Sequence, residues 1–179
     1  MKTLIISGSP RNNSHSIAIA KIIEKQLKKK GAEYELLDLA ETVLEPFKGY
    51  NHDYNETTMK VVKAMRDFDL FIIVTPIYNA SFSSAVKNLF EHAYYKDLRG
   101  KVASFALISS GKISALHVKN QLASMVGYFN IFAHPKAVYI LEDDFEKTEL
   151  KNEKIEERLE DFTEESLDFA KRLTKNPSE

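Results

Sequence analysis

The chain has 179 residues, 44% of them hydrophobic and 28% charged, with a net charge of −1; this fits one soluble globular domain over residues 1–179 whose core needs no metal or disulfide staple. The near-neutral charge leaves no electrostatic case for nucleic acid or an anionic membrane as partner. The absence of cysteine excludes disulfides, thiolate nucleophiles, iron–sulfur ligation and cysteine-bound zinc.

The amino end, MKTLIISGSPR, has an apolar run too short for a signal peptide or membrane span, so a cytoplasmic protein is expected. In chain order, LIIS (residues 4–7) reads as a first strand. Ile19, Ile23 and Leu27 then recur at helical spacing until Gly31 supplies a stop. YELLDL (34–39) is a second strand, followed by an irregular stretch over 40–58, either a surface loop or a flap over a site. A helix over 57–68 leads into DLFIIVT (69–75), whose lack of polar alternation predicts a central parallel strand buried on both faces. A helix over 83–95, the strand VASFALIS (102–109), a helix over 115–129 and the strand AVYIL (137–141) follow. Ile155, Leu159, Phe162, Phe169 and Leu173 mark one stripe of a last helix over 152–174. Strands spaced by roughly 30 residues with helices between them are βα units. They predict a three-layer, doubly wound α/β domain with a five-stranded parallel sheet in the flavodoxin-like order 2-1-3-4-5.

In such a sheet ligands bind outside the carboxyl ends of the strands. The loops there are SGSPRNNSHS, TPIYNASFSS and SSGKIS, all rich in small and hydroxylated residues. The first suits a phosphate: a helix beginning near Ser14 aims free N–H groups and its positive dipole end into the loop, while Ser9, Ser14, Ser16 and Arg11 add donors. It has neither the Gly-Lys-Ser/Thr of a triphosphate loop nor the three glycines of a dinucleotide loop, so a mononucleotide fits better. N-capping, with Arg11 as a solvent-facing turn residue, accounts for the same residues equally well. In the second loop, Pro76, Ile77, Tyr78, Asn79 and Ser81 would lay main-chain groups along a flat heterocycle, with Tyr78 or Phe82 as apolar flank. A turn followed by a helix cap is the plainer reading.

GSPRNNSHS followed by TPIYNASFSSAVKNLFEH resembles the NAD(P)H-dependent FMN reductase family, through Gly8, Ser9, Arg11, Ser14 and Ser16 and then Pro76, Tyr78, Asn79, Ser81, Lys87 and Asn88. LRGKVASFALISSGKISALHV is similar to the family's fourth strand and loop, and the chain is most similar to the branch containing reductase partners of two-component monooxygenases. The resemblance implies that the first loop binds the FMN phosphate, that residues 76–81 carry the isoalloxazine, and that Ser109, Ser110 and Gly111 approach its pyrimidine side. It also implies hydride transfer from NADPH or NADH to flavin N5 and onward to a quinone, azo compound, metal ion, oxygen or partner monooxygenase. No catalytic side chain is required, because the flavin carries the chemistry. Lys112 and Ser83-Ser84 depart from the family's usual small-residue turn and Pro-Gly, which bears on docking of the second substrate. A Lys112 directed at the flavin would raise its potential, whereas most lysines are simply exposed. A flavodoxin-like electron carrier and a non-catalytic flavin-binding module are the alternatives; Arg11 and the near-zero net charge favour the reductase.

The five histidines show no metal-binding spacing. His15 falls inside the phosphate loop, and His92 reads as a partner of a helix C-terminal dipole. The helix SSAVKNLFEHAYY is apolar on more than one stripe, which predicts a homodimer or a tuck beneath the last helix.

Overall fold

The computed structural model describes residues 1–111 and 115–174. The elements in chain order are β1 (Lys2–Ser7), α1 (His15–Lys29), β2 (Glu33–Asp38), α2 (Glu56–Ala64), β3 (Leu70–Tyr78), β4 (Ser81–Phe82) and α3 (Ser84–His92). Then follow α4 (Tyr95–Leu98), β5 (Val102–Ser109), α5 (Ala115–Tyr128), β6 (Phe132–Leu141), β7 (Phe145–Glu146), β8 (Glu149–Leu150) and α6 (Glu153–Thr174). Five strands pair in parallel in the order β2-β1-β3-β5-β6, the expected flavodoxin-like arrangement, with β5 and β6 as its fourth and fifth members. The short β4 folds back antiparallel on β3, and β7 and β8 form a separate hairpin.

Alternation along the strands divides the core in two. Ile5, Ile72, Val74, Ala106 and Ile108 pack under α1 and α6 through Ile19, Ile23, Leu159 and Phe162. Leu4, Ile6, Phe71, Ile73 and Phe105 pack under α3 and α5 through Leu89, Phe90, Val118 and Leu122. β3 is buried from Leu70 to Pro76, as a strand covered on both faces must be.

Several boundaries differ from expectation. β6 begins at Phe132 and runs through Pro135, which an edge strand tolerates because one row of its amides faces away from the sheet. The helix expected over 83–95 stops at His92, where Ala93 turns extended, and resumes as the single turn α4. α2 ends in the tighter turn Met65–Asp67.

At the amino end of the sheet the chain closes on itself. Lys101 Nζ donates to the carbonyls of Arg66 (2.7 Å) and Phe68, and the Asp69 carboxylate accepts the Lys2 amide at 2.7 Å. Burial holds the Lys101 ammonium below the ordinary lysine range, against the raising effect of Asp69, Asp67 and Asp97.

A candidate anion cavity at the carboxyl end of the sheet

The loop between β1 and α1 leaves the sheet at Gly8, whose amide donates to the Val74 carbonyl at 2.7 Å. A Cβ there would lie 2.4 Å from Val86 Cγ2 and 3.0 Å from that carbonyl oxygen, so only glycine lets α3 pack this close. Ser83 fastens the same corner. Its hydroxyl donates to the Gly8 carbonyl and accepts the amides of Ala85 (3.1 Å) and Val86 (3.4 Å) as the N-cap of α3.

α1 begins at His15 behind Ser14, which caps it by accepting the Ile17 amide at 3.4 Å. The first amides of a helix have no intrahelical acceptor, so this end presents donors and a partial positive charge. They face a cavity of about 290 Å³ lined by Ser9, Arg11, Asn13, Ser14, His15, Ser16, Pro76, Tyr78, Ile108 and Glu142. Ser9 is buried; its Oγ accepts the Arg11 amide at 3.1 Å and lies 3.3 Å from the Tyr78 hydroxyl. Ser16 is 1% exposed, and its hydroxyl has no partner. Among the described residues four other buried hydroxyls share that state, Thr3, Ser7 and Ser104 in strands and Ser166 in α6, and none of the four lines this cavity.

Ser9, Arg11, Ser14, Ser16, Pro76 and Tyr78 therefore converge on one cavity. The remaining sequence-derived residues lie around it. Ile77 points to the opposite sheet face, against the core under α3 and α5. The Tyr78 hydroxyl lies 3.3 Å from Ser9 Oγ, which draws this ring toward the loop between β1 and α1; it is not a free apolar flank. Asn79 and Ala80, at φ 47° and 62°, form the tight turn joining β3 to β4, so this stretch is a hairpin instead of an open loop. Ser81 donates to Gln121 Oε1 at 2.9 Å and lines a second, aromatic groove. Ser109 is buried at the end of β5 and donates to the Gly111 carbonyl at 2.6 Å, with Ser110 and Gly111 exposed beside it. Lys112 lies outside the described residues.

Glu142 and Asn13 also line the cavity, although sequence reasoning passed over both. Glu142 belongs to no motif in the sequence, and only its place just after β6 singles it out. His92 closes α3, where a partner of the helix dipole is expected, and it also makes a contact the sequence does not announce. Its Nε2 donates to the Glu45 carbonyl at 2.8 Å, and Asn88 donates to the same carbonyl while accepting the Phe47 amide, both at 2.9 Å. The stretch over 40–58 is thereby tied to α3, with the His92 ring edge-on to Phe47 and Tyr54. Phe47 and Tyr50 from that stretch join Phe82, Phe90, Tyr128 and Phe129 around the aromatic groove, about 780 Å³ in volume.

Comparison with known proteins agrees with this architecture. A solved NADH:FMN oxidoreductase in its apo form superimposes with a TM-score of 0.81 at 19% identity, covering 98% of this chain and 91% of that one, which establishes the fold. The NAD(P)H-dependent FAD/FMN reductase of Geobacillus thermodenitrificans is 33% identical over 89% of this chain and 88% of its own length. An FMN-dependent NADPH-azoreductase of Staphylococcus saprophyticus is 25% identical over 96% of both chains. The model of the NADPH-dependent FMN reductase family matches residues 1–146, the span that carries both hydroxyl-rich motifs, and the chain belongs to that family.

Proposed function

We propose that the protein is an NAD(P)H-dependent FMN oxidoreductase that seats the FMN phosphate in the cavity at the start of α1, with the ring system along residues 76–81 and 109–111. The observation that carries this reading is Ser16: a residue 1% exposed that lines a cavity headed by a helix N-terminus and Arg11, with a hydroxyl that has no partner among the described residues. A buried hydroxyl costs free energy unless something accepts from it, and a phosphate oxygen would do so. The residues present fit the group. Arg11 brings a positive charge to it, Ser9 is held in place by Tyr78 and by the Arg11 amide, and Pro76 and Ile108 line the cavity with apolar surface. Bound there, the flavin would accept hydride from the nicotinamide and pass electrons on.

The proposed acceptor is a small planar aromatic, an azo compound or quinone, which the aromatic groove beside Ser81 would take by stacking. The azoreductase activity named for one relative supports this class. We further propose a homodimer, with the second copy covering the exposed Tyr94, Tyr95 and Tyr128 near that groove. No helix among the described residues is long and apolar enough to cross a membrane, and we place the protein in the cytoplasm.

The test is an absorption spectrum with FMN before and after gel filtration, then anaerobically with NADPH. Flavin retained and bleached supports a self-contained reductase. Flavin lost on the column yet reduced in turnover supports supply of reduced flavin to a partner monooxygenase. Ser16→Ala and Arg11→Ala should each weaken FMN about tenfold or more, as loss of a charge-assisted hydrogen bond predicts, while riboflavin binding holds. Wild-type protein that binds no FMN would overturn the reading.

A further inference from the structure

Resting on the phosphate reading above, we propose that His15, fixed by the β7–β8 hairpin, is the titratable cation of the cavity: it takes up a proton as a phosphorylated flavin binds, and so sets the preference for FMN over riboflavin.

His15 is the first residue of α1 and lines the cavity. Its ring stacks on Phe145, with centroids 4.0 Å apart and planes 10° from parallel, and its Nε2 lies 2.7 Å from the Lys147 carbonyl. A carbonyl only accepts, so the neutral ring carries its proton on Nε2 and the vacant protonation site is Nδ1. The hairpin supplying these contacts is itself braced. Asp144 accepts the Leu141 amide at 2.8 Å and the Asn152 side-chain amide at 2.6 Å, and its carbonyl accepts the Lys151 amide at 2.9 Å. The ring is thereby held from two sides by a segment at the edge of the family match, which ends at residue 146.

The charges around the cavity give this ring its leverage. Arg11 and Glu142 line the cavity and cancel. Tyr78 contributes a neutral phenol engaged with Ser9. On the hairpin, Lys151 faces Glu149 at 2.6 Å and Glu146 at 4.0 Å, which leaves one negative charge, and the exposed Lys147 offsets it. With His15 neutral the lining charge sums to zero; with His15 protonated it is positive. A phosphate monoester brings about −1.5 to −2 charge near neutral pH. Histidine is the side chain whose protonation changes in that range, so an arriving phosphate favours the imidazolium. Glu142 opposes the same phosphate, which makes the proton on His15 decisive.

Calorimetric titration with FMN and with riboflavin, at about pH 7.5 where a free phosphate monoester is already dianionic, would be run in Tris and in HEPES. Their different ionisation enthalpies count the protons exchanged. The wild-type protein should take up a measurable fraction of a proton with FMN and none with riboflavin. His15→Phe keeps the stacking on Phe145, and His15→Gln keeps a donor for the Lys147 carbonyl; both should take up none and bind FMN about tenfold more weakly, with riboflavin unchanged. Glu142→Gln should tighten FMN and leave riboflavin alone. FMN binding without proton uptake in the wild type, or uptake that persists in both His15 variants, would overturn the inference while leaving the phosphate reading intact. Equal weakening of FMN and riboflavin would reduce His15 to a structural prop and overturn it as well. If the wild type binds neither flavin, the phosphate reading itself falls.

Discussion

The two ends of the sheet solve the same problem differently. At the amino end, Lys101 and Asp69 satisfy the carbonyls and amides left by neighbouring turns, and left-handed turns fall on Gly31, Gly100 and Asn130, residue types that accept them at low cost. At the carboxyl end the corresponding conformations fall on Asn13, Asn79, Ala80 and Lys147, and the Ser16 hydroxyl has no partner. Among the described residues, one end puts its left-handed turns on glycine and asparagine; the other puts two of them on Ala80 and Lys147 and sets an unmatched serine beside a cavity. Strain and unmet polar groups persist where the surrounding structure holds them for a ligand.

Substitutions can break this contrast, beginning with the closest approach at the carboxyl end. Gly8→Ala forces a methyl against Val86 and the Val74 carbonyl and should cost about 2–3 kcal/mol by urea unfolding. Adding Val86→Ala should return part of that loss, because one of the two clashes is with its side chain; no recovery would place the strain in the backbone. Ser83→Ala removes both the α3 cap and the donor to the Gly8 carbonyl, for a loss of about 1–2 kcal/mol in the same assay. Ala80→Gly runs the other way. Relief of its positive φ should stabilise the protein by roughly 0.5–1 kcal/mol, and a fall in melting temperature would show that the turn is not strained.

The smallest effect belongs to the amino end. Burial lowers the Lys101 value below the ordinary 10.5, so between the folded and unfolded values the unfolded chain binds more protons. Stability should therefore rise with pH across that interval. Lys101→Met should flatten the rise, as judged from urea midpoints collected toward pH 10.5.

The sheet was legible because its signals are local. DLFIIVT and VASFALIS are apolar runs bounded by polar turns, and the hydroxyl-rich loops following the first, third and fourth strands of the sheet mark its ligand edge. What escaped depends on partners distant in sequence. The end of α3 at His92 is fixed by Glu45 and by aromatic rings from residues 47 and 54, which no window around His92 contains. Glu142 reaches the cavity only because β6 lies beside β5. The β3–β4 turn lacks the glycine that advertises a left-handed pair, since Ala80 stands in the second position. Pro135 lies inside β6, and edge placement, a property of the whole sheet that no local window shows, makes it tolerable there.

The bond from Ser83 to the Gly8 carbonyl also orders events during synthesis. Because β1 pairs with β3 and Gly8 is clasped by α3, the floor of the cavity is built from the first half of the chain and can close while the last third is still on the ribosome. The wall carrying Glu142 and the hairpin that grips His15 emerge later. On the proposed phosphate reading, a nascent chain thus carries a shallow, one-sided seat before it carries a finished one. Cofactor capture at that stage would rely on Arg11 and the helix end alone, and selectivity for the phosphate would arrive with the last third of the protein.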